Sequence, residues 1–248
     1  MKLKSHIPNL FTLSNLICGA GALYFLHQDL PITAASLVLL AAFFDFLDGM
    51  VARILGVSGE LGKQLDSLAD MVSFGLVPAF FALYLLDVLD GIPGSAPAAL
   101  RAMAPLLMAA MAAYRLAMFN IDSRQSDRFI GVPTPAVALF WLSLLLIREG
   151  EPGSTALQQV YDAFLASHNA LAVAALICAL LMVSPMPLIS LKFKSFSWSD
   201  NVYRYLLIAA ILVLLAFFAV KAVPIVLLLY LLLSILENSL SKRHEIQS

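Results

Sequence analysis

Asp45, Asp48, Asp66 and Asp70 all fall within one stretch, "DFLDGMVARILGVSGELGKQLDSLAD", of a chain that is otherwise mostly apolar. Carboxylate oxygens are hard donors, so a cluster of them suits magnesium or manganese and, through such ions, phosphate groups. Softer metals would call for a cysteine and histidine set. Here Cys18 and Cys178 lie far apart in apolar runs, and His6, His27, His168 and His244 are scattered singly. The two cysteines read as small buried hydrophobes with no disulfide framework.

Spacing sharpens the reading. A helical residue advances about 100°, which puts Asp45, Asp48 and Ala52 near one face. Asp66 and Asp70, four apart, stack on one face of the next helix. Between them "ARILGVSGELGKQL", with Gly56, Gly59 and Gly62, reads as a short loop that brings the two acidic faces together. Carboxylates so placed would repel one another, and a pair of divalent ions, Mg2+ or Mn2+, removes that penalty and clamps a phosphate in transfer. Gly49 and Ala52 leave a small floor beside the acids, and Arg53 places a cation at the rim for a diphosphate. The plainer alternative is that the aspartates mark helix ends at a water boundary. It is weakest for Asp45, flanked by "AAFF" and "FL", because ionisable residues inside membrane spans are costly. Acids clustered at one end also argue against a pore, which would thread them through the membrane.

The elements that must hold these residues are membrane helices. Of the 248 residues, 61% are hydrophobic and 12% charged, with a mean hydropathy of +0.91; a soluble domain carries about 25% charged residues. The expected fold is an all-α polytopic membrane helical bundle. Its candidate spans are 11–27, 33–55, 69–88, 97–119, 132–148, 165–184, 204–220 and 222–238. That makes eight, or seven if the last two, divided by Lys221 and cut by Pro224, form one bent span. The first run lacks a small-residue cleavage site and reads as a retained span. With both termini cytoplasmic, Lys2, Lys4, Arg53, Lys63, Arg124, Arg128, Lys192, Lys194, Arg204, Lys242 and Arg243 fall inside, against Arg101, Arg148 and Lys221 outside. This bias follows the positive-inside rule and puts the acidic cluster at the cytoplasmic end. The loop "REGEPGSTALQQVYDAF" has room for a short surface helix. No basic stripe or aromatic platform supports a nucleic-acid partner.

The pattern D-x2-D-G-x2-A-R-x8-G-x3-D-x3-D is met without gaps by Asp45, Asp48, Gly49, Ala52, Arg53, Gly62, Asp66 and Asp70. It resembles the signature of the CDP-alcohol phosphatidyltransferases, integral membrane enzymes that move phosphatidyl or phosphoalcohol groups to a hydroxyl. The segments "IPNLFTLSNLICG", "DSLADMVSFGLVPA", "YRLAMFN", "FIGVPTPA" and "LMVSPMPLISLKF" resemble the bacterial branch of the family that uses serine as acceptor. The likeness runs through nearly the whole chain. It implies that Asp45, Asp48, Asp66 and Asp70 hold the metals, with Asp70 also the general base. It implies that Gly49, Ala52 and Arg53 contact the CDP group and that Gly62 lets the nucleotide approach. The donor would be CDP-diacylglycerol, the acceptor L-serine, and the enzyme a homodimer in the bacterial inner membrane. Glycerol 3-phosphate or an inositol phosphate would be served by the same motif, and a transport or structural membrane protein is the alternative of another class.

Softer expectations attach to other residues. Asn9, Thr12 and Asn15 recur every three residues and form a polar edge that could face the nucleotide or serve as helix cap and interhelical glue. Arg115, in or near the fourth span, is a candidate for an acceptor carboxylate or donor phosphate. Ser73 could shape the acceptor pocket. Lys192 and Lys194 suit a donor headgroup or the anionic membrane lipids. One integral-membrane catalytic domain, 1–248, is expected, with a six-helix core in 1–184 and two further spans in 204–238.

Overall fold

The computed structural model describes residues 6–57, 59–87, 96–121, 129–151, 153–189 and 198–247. Helices α1 (His6–His27) and α2 (Pro31–Leu55) form a closely packed hairpin. At its turn Asp29 takes a left-handed conformation, φ 57°, which aspartate tolerates better than most residues. Pro31 then opens α2, where its missing N–H is not needed. Gly56, φ 61°, closes α2 and donates its N–H to the carbonyls of the last turn.

The expected span at 69–88 is corrected. The third helix begins at Glu60: α3 (Glu60–Asp70) continues through a π-helical segment, Met71–Leu76, into α4 (Val77–Leu85). The first turns of α3 are amphipathic, with Leu61, Leu65 and Leu68 among polar residues, so their mean hydropathy hides a helix that starts before the apolar run. The connection between the acidic helices thus shrinks to a tight loop around Gly56 and Gly59.

Helices α5 (Ala96–Ile121), α6 (Thr134–Glu149) and α8 (His168–Val183) complete the core, and among the described residues each of the eight expected apolar runs lies mostly in helix. Not all are long enough to cross a membrane alone. Five helical stretches pass by length and hydropathy, or six if α7 (Ala156–Leu165) and α8, bent by 86°, count as one span. The 16 residues of α6 reach about 24 Å, short of the roughly 30 Å of hydrocarbon. Its buried Trp141, Leu144 and Leu145 instead fill the centre of the bundle. The short helix expected in the polar loop is α7, capped by Thr155.

One apolar stretch, Asn201–Asn238, carries the last two helices. Helix α9 (Trp198–Phe218) is followed by a 3-10 turn, Ala219–Lys221, and by α10 (Ala222–Gln247). The Ile189 amide donates to the Ser234 hydroxyl at 3.1 Å. From Ile189 the chain can reach Asn201 over at most about 43 Å. A straight helix from Asn201 to Ser234 would span roughly 50 Å. The stretch must therefore fold back, and Ala219, φ 47°, supplies the break. Opposite that turn, β1 (Phe129–Ile130) pairs antiparallel with β2 (Pro187–Leu188). This two-residue clip is the only strand pairing among the described residues. Gly131, φ 71°, follows it, where a Cβ would strike the Met182 carbonyl.

Candidate active site

The end of the bundle where α2 stops and α3 starts gathers the acids. Asp45, Asp48 and Asp66 each offer a carboxylate oxygen within 4.8 Å of the others. Asp45 links this triad to Asp70, since its side chain reaches those of both Asp66 and Asp70. Among the described residues none of the four is in an ion pair. The polar edge of α1 faces them. Thr12 Oγ1 donates to Asp48 Oδ2 at 2.6 Å, and Asn15 Nδ2 donates to Asp70 Oδ1 at 3.2 Å. Asn15 is itself fully buried, and its side-chain oxygen Oδ1 has no hydrogen-bond partner among the described residues.

Beside the triad opens a cavity of about 450 Å³, lined by Pro8, Asn9, Thr12, Asp48, Gly49, Ala52, Val57, Gly59, Leu61, Gly62, Lys63 and Asp66. At Gly49 an added Cβ would meet nothing within 4 Å, so this position opens onto free space. At Gly62 it would come within 3.3 Å of Asn9 Oδ1, so α1 and α3 approach closely there. The donor set around the triad is oxygen alone, its carboxylates are in no ion pair among the described residues, and it borders open volume. Those features fit one or more hard divalent cations with a phosphate-bearing ligand alongside.

The other expected residues are placed less uniformly. Arg53 is exposed, its Nε donating to Gly49 O at 2.9 Å. Ser73 is fully buried and donates to Asn15 O at 3.1 Å. It sits in the π-helical segment against Gly19, where any Cβ would overlap its hydroxyl. Its contacts are those of a packing residue that seats the helix carrying Asp70 against α1. Arg115 on α5 is 8% exposed, within electrostatic reach of Asp70 and Tyr230. Its Nε has no hydrogen-bond partner among the described residues. Lys192 and Lys194 lie outside the described residues.

Lys63 was not singled out by sequence reasoning, yet it lines the cavity and donates to Asn120 O at 2.6 Å. Asn120 in turn donates to Ser67 Oγ at 2.8 Å, so the end of α5 is tied to α3. The available signal was spacing: Lys63 precedes Asp66 by three residues and shares its face.

A family profile described as CDP-alcohol phosphatidyltransferase matches residues 5–183. The chain belongs to that family. The matched span holds the whole acidic cluster and α1 to α8 of this CDP-alcohol phosphatidyltransferase, and it ends before α9 and α10. Among relatives, a CDP-diacylglycerol–serine O-phosphatidyltransferase of Helicobacter pylori is 34% identical over 142 residues, 56% of this chain and 57% of its own. The Bacillus subtilis protein of the same name is 34% identical over 135 residues, 53% of this chain and 70% of its own. A third, from Mycobacterium leprae, is 35% identical over 149 residues, 57% of this chain and 47% of its own. The match thus spans 47% to 70% of the length of these relatives.

Proposed function

We propose that this protein transfers the phosphatidyl group of CDP-diacylglycerol to L-serine, giving phosphatidylserine and CMP. The observation that carries the reading is the carboxylate triad of Asp45, Asp48 and Asp66 beside an open cavity with small residues on its wall. Family membership and the names of the relatives support the donor and the acceptor.

Asp45, Asp48 and Asp66, with Asp70 beside them, hold Mg2+ or Mn2+ in this reading. Bound there, two such ions neutralise the diphosphate and stabilise CMP as leaving group. The chain's own residues do the rest. Asn9, Thr12, Gly49, Ala52 and Gly62 receive the CMP moiety in the cavity, with Lys63 and Arg53 near its anionic end. Arg115 binds the serine carboxylate. Asp70, oriented by Asn15, takes the proton from the serine hydroxyl as its oxygen attacks the phosphorus that bears the diacylglycerol. That phosphorus loses its bond to the CMP oxygen, and CMP departs. The acidic end faces the cytoplasm of a bacterial inner membrane, where the soluble acceptor and the lipid-bound donor meet. Lys192 and Lys194 serve a donor headgroup or the anionic membrane lipids in this reading. The catalytic core is 1–184, the 204–238 region adds two spans, and the working form is a homodimer.

The test incubates purified protein with CDP-diacylglycerol, Mg2+ or Mn2+ and one labelled acceptor at a time, and identifies the lipid product. L-Serine should give phosphatidylserine with stoichiometric CMP. A product formed only from glycerol 3-phosphate or an inositol phosphate would reassign the acceptor, and no CMP release with any acceptor would overturn the reading.

A further inference from the structure

Directly after Asp70 the helix widens. Met71–Leu76 is π-helical, and the Val77 N–H donates to the Val72 carbonyl five residues back. The sequence supplies a cause two positions on. Pro78 has no N–H to give the Phe74 carbonyl four residues back, and in an α-helix its ring would crowd that carbonyl. Wide turns of this kind occur frequently at functional sites. This one adjoins the acid assigned as base.

The segment is wedged between two helices. Toward α1, Ser73 Oγ donates to Asn15 O at 3.1 Å, and a Cβ on Gly19 would overlap that hydroxyl. Toward α5, a Cβ on Gly75 would come within 3.1 Å of the Ala112 Cβ. Ser73, Phe74 and Gly75 are all buried. Asn15 closes the arrangement, because its main-chain carbonyl takes the Ser73 proton while its side-chain Nδ2 donates to Asp70 Oδ1 at 3.2 Å. Asn15 Oδ1 has no partner among the described residues, so the orientation of the amide follows Asp70. Asp70 is thus held twice from one residue of α1: its carboxylate by the Asn15 amide, and its backbone by the Ser73 bond three residues on. Packing alone would be served by alanine at 73, which brings no hydroxyl to satisfy.

We propose that this π-helical segment is the mount of the base: Ser73, bonded to Asn15 O and seated on Gly19, fixes where the Asp70 carboxylate stands for the acceptor hydroxyl. Ser73 and Gly19 are positioning residues, since they act through Asp70. Misplacing a reacting group by 1 Å can cost about a hundredfold in rate. Donor binding is spared, because neither Ser73 nor Gly19 lines the cavity. The inference rests on the proposed serine transfer and gives its base a support that lies outside the aspartate motif.

The test uses the full chain in mixed micelles with CDP-diacylglycerol, L-serine and saturating Mg2+. Ser73→Ala should slow kcat and single-turnover CMP release by about ten- to a hundredfold, and leave the KM of both substrates within about twofold. Gly19→Ala, whose Cβ displaces the Ser73 hydroxyl, should act in the same direction. The control is Ser143→Ala. Ser143 is fully buried and donates to Phe140 O at 2.7 Å, a side-chain bond to a main-chain carbonyl within α6. Its loss should lower thermal stability as Ser73→Ala does, and leave the rate unchanged. If Ser73 merely packs the bundle, the two alanine variants should behave alike, and that result overturns the proposal. A higher serine KM with unchanged kcat would make Ser73 an acceptor contact, and also overturns it. Should Gly19→Ala fail to fold, the Ser73→Ala and Ser143→Ala pair decides by the same split. Wild-type protein that releases no CMP with L-serine would overturn the functional reading and this inference together; active wild type with an unaltered Ser73→Ala overturns this inference alone.

Discussion

Charged residues collect at both ends of the bundle, and the two collections are built on opposite principles. At the end opposite the acidic cavity, Arg148 Nη2 meets Asp87 Oδ1 at 2.7 Å, and Nη1 donates to Leu85 O at 3.2 Å. Its guanidinium lies 5.6 Å from the centre of the Tyr84 ring. His168 Nε2 approaches Asp87 Oδ2 at 3.3 Å, and Tyr84 Oη donates to Asp29 Oδ1 at 3.0 Å. The charges of Asp87, Arg148 and His168 there are paired with one another across separate parts of the chain. At the cavity end four carboxylates face one another and none of them is in an ion pair among the described residues, with Lys63 on the cavity wall bonded to Asn120 O and Arg115 only within electrostatic reach of Asp70. A clasp finishes its own electrostatics. A binding site leaves them for a ligand to finish.

The largest break in this contrast comes from the triad. Asp66→Asn removes one of three converging carboxylates and should cut CMP release by about a thousandfold, as expected when several kcal/mol of metal-borne stabilisation is lost. Chelation by EDTA should reproduce the loss in wild type, with Mg2+ or Mn2+ restoring it. Activity that survives either treatment would make the triad a second clasp. Asp70→Asn tests the acid outside the triad. If Asp70 serves as base, turnover should fall by about 10²–10⁴-fold with nucleotide binding retained, measured by CMP competition. Gly49→Val is smaller. An added Cβ meets nothing at Gly49, so the fold should tolerate it while the cavity narrows. The donor KM should rise roughly tenfold, about 1.4 kcal/mol of lost binding, with thermal stability unchanged.

The same contrast explains what could be read from the sequence. The aspartates, Gly49 and Gly62 were legible because their spacing is local: two helices and one loop determine how they meet. The polar edge of α1 was legible as periodicity, though whether Asn9, Thr12 and Asn15 face ligand or helix depends on how α1 packs against α2 and α3. The clasp was not legible. Asp29, Asp87, Arg148 and His168 come from four separate regions of the chain and meet only through the bundle's topology. Span lengths failed for a related reason. Hydropathy reports how oily a run is, so it missed the amphipathic start of α3 and could not tell the short buried α6 from a crossing helix. The three contacts of α10 to residues 187–189 were hidden because Tyr230, Ser234 and Asn238 look like ordinary interruptions of an apolar run until β2 lies against them.

The smallest expected effect lies in the clasp and concerns pH. Partial burial pushes the Asp87 carboxyl up, but the Arg148 hydrogen bond and charge, with His168 behind them, hold it below the usual range. A carboxyl depressed in the folded state contributes stability above its unfolded value, near 3.9. That contribution is lost as pH falls through the folded value. Asp87 is 54% exposed and Arg148 34%, so screening keeps the pair to about 0.2–1 kcal/mol. Asp87→Asn should therefore lower the unfolding temperature in detergent by a few degrees at neutral pH, and the gap to wild type should narrow below about pH 4. Serine transfer at neutral pH should be unchanged. If Asp87→Asn instead impaired turnover as Asp66→Asn does, the division between a closed clasp and an open site would fail at its quieter end.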